Sequence, residues 1–143
     1  ELANNVLTIG ALNYEYGENV IASFSNYGSK MVDVYAPGMK IYATVPNNKY
    51  VYEQGTSMAS PNAAGVAALV RSYYPNLKAA QVKEILMKSG TPITLEVKVG
   101  ETEIKKPFSE ASVSGRIVNA YNALKMAEQL SKQKTKTKKT PKL

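Results

Sequence analysis

The sequence contains no cysteine, no tryptophan and no histidine, and Asp33 is its only aspartate. Without cysteine there can be no disulfide, no thiol nucleophile and no cysteine-ligated metal. No apolar run approaches the roughly 20 residues that a membrane-spanning helix needs. The 143 residues, 44% of them apolar, are enough for the core of one domain or of part of one.

The lack of histidine restricts hydrolytic chemistry. A serine nucleophile needs a base to accept its proton and a carboxylate to orient that base. A Ser-His-Asp triad therefore cannot be formed by this chain alone. A serine–lysine arrangement remains open because lysine is abundant, although nothing in the sequence places a lysine beside a particular serine.

The net charge of +7 is concentrated at one end of the chain. Six lysines lie in residues 132–143, and outside that segment 12 basic residues face 11 acidic ones. We predict that residues 131–143 form a disordered lysine-rich tail, because they have no apolar face. A basic tail can bind phosphate backbones, but no aromatic residue interleaves with these lysines, so we expect no specific nucleic-acid partner.

A small-residue turn, Gly55-Thr56-Ser57-Met58-Ala59-Ser60-Pro61, precedes an alanine-rich stretch. The start of a helix offers unpaired N–H groups and the positive end of the helix dipole, which suit the oxyanion formed in acyl transfer. Such a position would suit Ser57 as a nucleophile, with Pro61 placed in the first helical turn. Without further information, however, a serine or threonine before an alanine-rich run more commonly caps the helix, so these residues alone favour Thr56 or Ser57 as a cap.

Hydrophobic patterning predicts alternating strands and helices along the chain. Residues 6–11 fit a short buried strand, 31–35 and 40–45 are extended, 46–49 form a turn, and 50–52 form a short extended piece. Helices are predicted from Ser57 to about Tyr74, from Ala79 to Ser89, and after an N-cap at Asn119. Residues 91–114 fit either a β-hairpin or a long surface loop.

The string Gly55 to Pro61 closely resembles the nucleophile motif G-T-S-M-A-S-P of the subtilisin-like serine proteases, the subtilases. Further segments resemble that family in the same order: residues 6–11, 22–28, 32–44 and 115–124. The resemblance implies an α/β fold, the C-terminal portion of a mostly parallel sheet flanked by helices. Residues 1–130 would be the C-terminal part of a subtilase catalytic domain, with 91–113 as an insertion or hairpin.

The resemblance also implies roles for individual residues. Ser57 would be the nucleophile and one oxyanion donor, and Gly55 and Thr56 would shape its turn. The family's catalytic aspartate, histidine and oxyanion asparagine would lie upstream of this sequence. Asp33 matches the aspartate before A-P-G and is predicted to anchor a turn or a sheet edge. Asn62 is interpreted as a tolerated variation.

The function implied is that of a serine endopeptidase, extracellular or in the cell envelope, which acts on proteins or peptides. Its partner would be the upstream part of the same domain, and the isolated chain would be inactive and poorly stable. We expect no cofactor in this chain; the resemblance allows structural calcium in the complete domain. The alternative is a non-catalytic binding or scaffold segment derived from a subtilase, which the absence of histidine would suit.

Overall fold

The computed structural model describes the backbone of residues 3–137 and the side chains of residues 3–132. The strands are β1 (Ile9–Leu12), β2 (Val34–Pro37), β3 (Ile41–Val45), β4 (Lys49–Glu53), β5 (Thr91–Pro92), β6 (Glu96–Lys98), β7 (Lys105–Pro107) and β8 (Arg116–Ile117). The helices are α1 (Thr56–Tyr73), α2 (Ala79–Ser89) and α3 (Ala120–Thr137), with a 3₁₀ turn at Phe108–Glu110. Within the described residues, no helix is long and apolar enough to cross a membrane.

The central sheet has the strand order β1-β2-β8-β5. β1 and β2 run parallel with Ile9 opposite Val34, and β2 runs parallel to β8 with Tyr35 opposite Ile117. In this sheet β5 is antiparallel to its neighbour. The α/β class with a mostly parallel sheet, expected from the sequence, is therefore confirmed.

Helix α1 packs on one face of this sheet, and α2 and α3 pack against α1 and against each other. Closest to the strands, α1 contributes Ala59 and Ala63, which lie in one apolar cluster with Ala11, Ala22 and Ala36. Because all five side chains are methyl groups, the helix axis can approach the sheet closely. A second cluster joins the helices to each other; its buried members are Val70, Leu77, Val82, Ile85, Leu86, Ala123 and Ala127.

The opposite face of the sheet is covered by the segment 91–113. β6 and β7 form an antiparallel hairpin, so of the two alternatives for this segment the structure has the hairpin. It is not a surface loop, since Val97, Val99 and Phe108 are buried. The ring of Phe108 lies 5.3 Å from that of Tyr35, whose hydroxyl donates to the Ala111 carbonyl at 3.2 Å. Burial raises the pKa of the Tyr35 phenol.

The strand predicted at residues 6–11 is shifted toward the C-terminus. β1 begins at Ile9 because pairing with β2 begins there, and Val6 is half exposed. The outer edge of β1 is paired at its carboxyl end, where Leu12 forms an antiparallel bridge with Ile21. The Ala22 N–H donates to the Ala11 carbonyl at 3.0 Å, and the Asn13 N–H donates to the Val20 carbonyl at 2.8 Å.

Of the other extended segments, β2 differs from its predicted position, whereas β3 and β4 lie within one residue of theirs. β2 starts at Val34 rather than Met31 and includes Pro37, because its pairing with β1 extends to Leu12 opposite Pro37. β3 and β4 form a hairpin whose turn places Asn47 and Asn48 at φ 67° and 55°. Asparagine tolerates this left-handed region, which the three-residue loop 46–48 uses to reverse the chain.

The helix boundaries mostly agree with the sequence. α2 has the predicted bounds, and at its start the Gln81 side chain accepts a hydrogen bond from the Lys78 backbone N–H at 3.1 Å. Asn119 caps α3 by accepting the Asn122 N–H at 2.9 Å. The predicted disorder from Ser131 is wrong for residues 131–137, which continue α3. The remainder of that predicted tail, 138–143, lies outside the described residues.

Candidate active site

The nucleophile turn lies at the carboxyl ends of the parallel strands β1 and β2. The Gly55 N–H donates to the Gly38 carbonyl at 2.8 Å, and the Gly38 N–H donates to the Leu12 carbonyl at 3.1 Å. Two hydrogen bonds therefore connect this turn to the last residue of β1. In open α/β sheets, ligands bind outside the carboxyl ends of the strands, and the turn places Ser57 at that edge.

Gly55 makes the turn possible. Its φ is 146°, a conformation that a residue with a Cβ rarely adopts. The chain thereby leaves β4 and enters α1 within two residues, Gln54 and Gly55. The site residues Gly55, Thr56 and Ser57 are thus contiguous across the start of α1.

The structure contradicts the alternative that Thr56 or Ser57 caps α1. Gly55 is the N-cap, no side chain caps the helix, and the first turn contains no acidic residue. The N–H groups of Met58 and Ala59 both donate to the Gly55 carbonyl. Those of Thr56 and Ser57 have no acceptor within the part of the chain that the structure describes. Two free donors and the positive end of an 18-residue helix therefore face the site.

Ser57 itself is exposed. Among the described residues, no hydrogen bond involves its hydroxyl, so this side chain holds none of them in place. No base contacts it either, which leaves the serine–lysine arrangement without support from the described contacts. The serine is held by its backbone, while its oxygen remains available.

The sequence predicted Pro61 in the first turn of the helix, but the structure places it further along α1. Because α1 begins at Thr56, Pro61 is the sixth residue of the helix. Its missing N–H removes the intrahelical bond that the Ser57 carbonyl would otherwise accept. Near this gap, the Asn62 amide donates to the Met58 carbonyl at 3.1 Å and to the Pro37 carbonyl at 3.0 Å. Asn62 therefore ties α1 to the end of β2, a role that the sequence did not reveal.

Asp33 lies away from the nucleophile turn, immediately before β2, and it is buried. Its Oδ2 accepts the backbone N–H of Thr8 at 2.9 Å and the Thr8 hydroxyl at 3.1 Å. The Lys83 ammonium lies 3.0 Å from the same oxygen. These contacts join the start of β2, the residue before β1 and helix α2. The prediction that Asp33 is a structural anchor is confirmed.

The described residues contain no group of three or more histidine, cysteine or acidic side chains arranged to hold a metal ion. The calcium expectation concerned the complete domain and stays a prediction.

Comparison with known proteins agrees with this geometry. The model of the subtilase family of peptidases matches residues 1–132. Subtilisin DY from Bacillus licheniformis is 43% identical over 88 residues, which are 62% of this chain and 31% of that protein. The cell wall-associated protease of Bacillus subtilis strain 168 is 40% identical over 106 residues, 73% of this chain and 11% of that protein.

Among solved structures, a chain of the subtilase cytotoxin assembly superimposes with a TM-score of 0.68 at 27% identity. The match covers 87% of this chain and 37% of the cytotoxin chain. The chain thus spans about a third or less of the curated relatives it matches. The family match covers nearly all of the sequence, and the chain belongs to the subtilase family of serine peptidases.

Proposed function

We propose that this chain is the nucleophile-bearing part of a subtilisin-type serine endopeptidase that forms an acyl-enzyme on Ser57. One observation carries the proposal: Ser57 is exposed at the open N-terminus of α1 and has no structural partner among the described residues. A serine that only capped the helix would have its hydroxyl bonded to a backbone N–H.

The chemistry follows from that placement. The Ser57 oxygen attacks the scissile carbonyl, and the developing oxyanion accepts a hydrogen bond from the Ser57 backbone N–H. The serine proton passes to a base and then to the leaving amine. Since this sequence has no histidine, the base, the carboxylate that orients it and the second oxyanion donor would come from residues outside these 143.

The surface of α1 suits such a missing part. Ala64, Gly65 and Ala68 are exposed, and Leu69 is 37% exposed. A helix that presents small and apolar residues to water has a face available for packing against further protein. We infer that the upstream part of the same catalytic domain packs against this face.

Substrates would be proteins or peptides, as for peptidases of this family. An extracellular or cell-envelope location is proposed because one relative is a cell wall-associated protease. The second candidate function is a non-catalytic binding or scaffold segment, which the absence of histidine favours if no upstream part exists.

Active-site labelling tests the nucleophile. In the complete protein, a fluorophosphonate probe should modify Ser57, and Ser57→Ala should abolish both labelling and casein hydrolysis. Ser60→Ala is the matched control, because Ser60 is an exposed serine in the next turn of the same helix. Labelling mapped to another serine, or casein hydrolysis by Ser57→Ala, would refute the assignment.

A second experiment separates the peptidase from the scaffold. Residues 1–143 alone should hydrolyse casein no faster than their Ser57→Ala variant and should be prone to aggregate. Co-refolding with the upstream part should restore Ser57-dependent hydrolysis. A complete protein that folds but never reacts with the probe would support the scaffold function instead.

A further inference from the structure

A cavity of about 460 Å³ opens beside the nucleophile turn. Gln54, which precedes Gly55, lines it, and so does Met39, which follows Gly38. The Gly38 carbonyl accepts a hydrogen bond from the Gly55 N–H, so this bond joins the two segments that contribute Met39 and Gln54 to the lining. Gln54 and Ser57 are three residues apart, which places their Cα atoms within about 11 Å. This distance corresponds to the length of at most about three residues of an extended peptide bound at Ser57.

The interior of the cavity is partly apolar. Ile21, Ala22 and Phe24 line it together with Met39, and Phe24 is 40% exposed. The β6–β7 hairpin also contributes to the lining, through Lys98 and the turn at residues 100–103. A long side chain could therefore bury its hydrocarbon stem against Phe24 while its end reaches the hairpin.

The polar wall is acidic. Glu15, Glu101 and Glu103 line the cavity, and among the described residues Lys98 is the one basic side chain that does. This lysine is already paired, because its ammonium lies 2.6 Å from Glu103 and 3.3 Å from Glu18. Both carboxylates raise the pKa of Lys98, in keeping with a cation held between them. Glu15 and Glu101 take part in no ion pair within the described part of the chain, so their charge is not neutralised there.

The ion pairs also fix the wall in place. The Glu18 carboxylate pairs with the ammonium groups of both Lys98 and Lys105, the latter at 2.5 Å. In addition, the backbone N–H of Lys98 donates to the backbone carbonyl of Glu18 at 2.7 Å. The hairpin is thereby fastened to the loop that carries Glu15. Glu15 and Glu101 consequently lie on two segments that are held together by these ion pairs and by a backbone hydrogen bond.

We propose that this cavity is a specificity subsite of the peptidase and accepts a lysine or arginine side chain of the substrate polypeptide. The inference rests on the proposed function, because the cavity can be a substrate subsite only if Ser57 beside it is the nucleophile. The apolar lining would hold the stem of the basic side chain, and Glu15 and Glu101 would hold its charge. Each exposed ion pair of this kind is worth about a twofold to fivefold preference.

Paired substrates test the subsite in the complete protein. Fluorogenic peptides that differ only by lysine or norleucine at each of the three positions on either side of the scissile bond should give different kcat/KM values. We expect lysine to be favoured by about threefold to tenfold at one position. The preference should shrink as ionic strength rises, because salt screens exposed charges.

The double variant Glu15→Gln/Glu101→Gln should bring the ratio of the two kcat/KM values close to one, chiefly by lowering kcat/KM for the lysine peptide. Glu96→Gln is the matched control, since Glu96 lies on β6 of the same hairpin but does not line the cavity. Equal kcat/KM values for lysine and norleucine at every position would overturn the inference. A lysine preference that survives the double variant would do the same.

Binding separates this inference from the proposed function. With Ser57→Ala, fluorescence anisotropy of a labelled lysine peptide reports the subsite without catalysis, and the double variant should weaken binding by the same factor. If Ser57→Ala still hydrolyses peptides, the nucleophile assignment fails. If hydrolysis depends on Ser57 but neither measurement distinguishes lysine from norleucine, only the subsite fails.

Discussion

A methyl group added at Gly38 should disturb catalysis through the backbone of the nucleophile turn. A Cβ at this position would lie 2.6 Å from the Ala11 Cβ and 2.9 Å from the Gly55 carbonyl oxygen. Both neighbours are fixed, since Ala11 is buried in β1 and Gly55 is the N-cap of α1. Gly38→Ala can therefore be accommodated only if the sheet end and the turn move apart.

The size of the effect follows from these distances. Carbon atoms that touch lie about 3.5–4.0 Å apart, so residue 38 has to move by about 1 Å away from the Ala11 Cβ, and the turn that is hydrogen-bonded to it has to move as well. Overpacking of this kind costs about 1–3 kcal/mol of stability. A 1 Å misplacement of a reacting group can reduce the rate about 100-fold. We expect probe labelling of Ser57 to slow by about tenfold to 100-fold.

The assay compares fluorophosphonate labelling rates and thermal unfolding for two variants of the complete protein. Gly10→Ala is the matched control, because its Cβ would lie 2.2 Å from the Tyr35 ring, on the sheet face away from α1. It should lose at least as much stability while labelling at the normal rate below its Tm. Normal labelling of Gly38→Ala, or equal slowing of Gly10→Ala, would show that the turn is not held through Gly38.

Three further predictions concern stability. Asp33→Asn should lower the free energy of unfolding by about 2 kcal/mol, because Lys83 and Thr8 would no longer have a charged acceptor. Urea unfolding measures this free energy. Probe labelling of Ser57 should not change. Lys105 and Lys98 hold the pKa of Glu18 below its ordinary value of 4.5, so its stabilising pairing is present above that value and disappears as pH falls through the lower folded pKa. Glu18→Gln should therefore weaken the acid dependence of unfolding, and an unchanged pH profile would contradict the pairing. Removing residues 132–143 should shift Tm by less than about 2 °C, because within the described part of the chain this deletion removes the C-terminal end of α3 and an exposed ion pair, that of Lys132 with Glu128. A larger drop would mean that this segment docks on the domain.

The sequence was sufficient for features that depend on neighbouring residues. The bounds of α2 followed from apolar residues at helical spacing and from Gly90 beyond its end. The cap of α3 followed from Asn119, and the nucleophile turn from a run of small residues before an alanine-rich helix. Local hydrogen bonds and backbone preferences determine such features, and they are encoded within a few residues.

The tertiary structure decided whatever depends on residues far apart in the chain. Only the fold brought Lys83 and Thr8 to Asp33, and only strand pairing set where β1 begins. The segment 91–113 was ambiguous because its buried residues face Tyr35, which no local pattern connects to Phe108.

The cavity beside Ser57 likewise needs Phe24, Gln54 and Glu101 together. The sequence by itself determined the family and singled out Ser57 as the predicted nucleophile. The surroundings of that serine were decided by long-range packing, because contacts between distant residues form only when the sheet and helices are assembled.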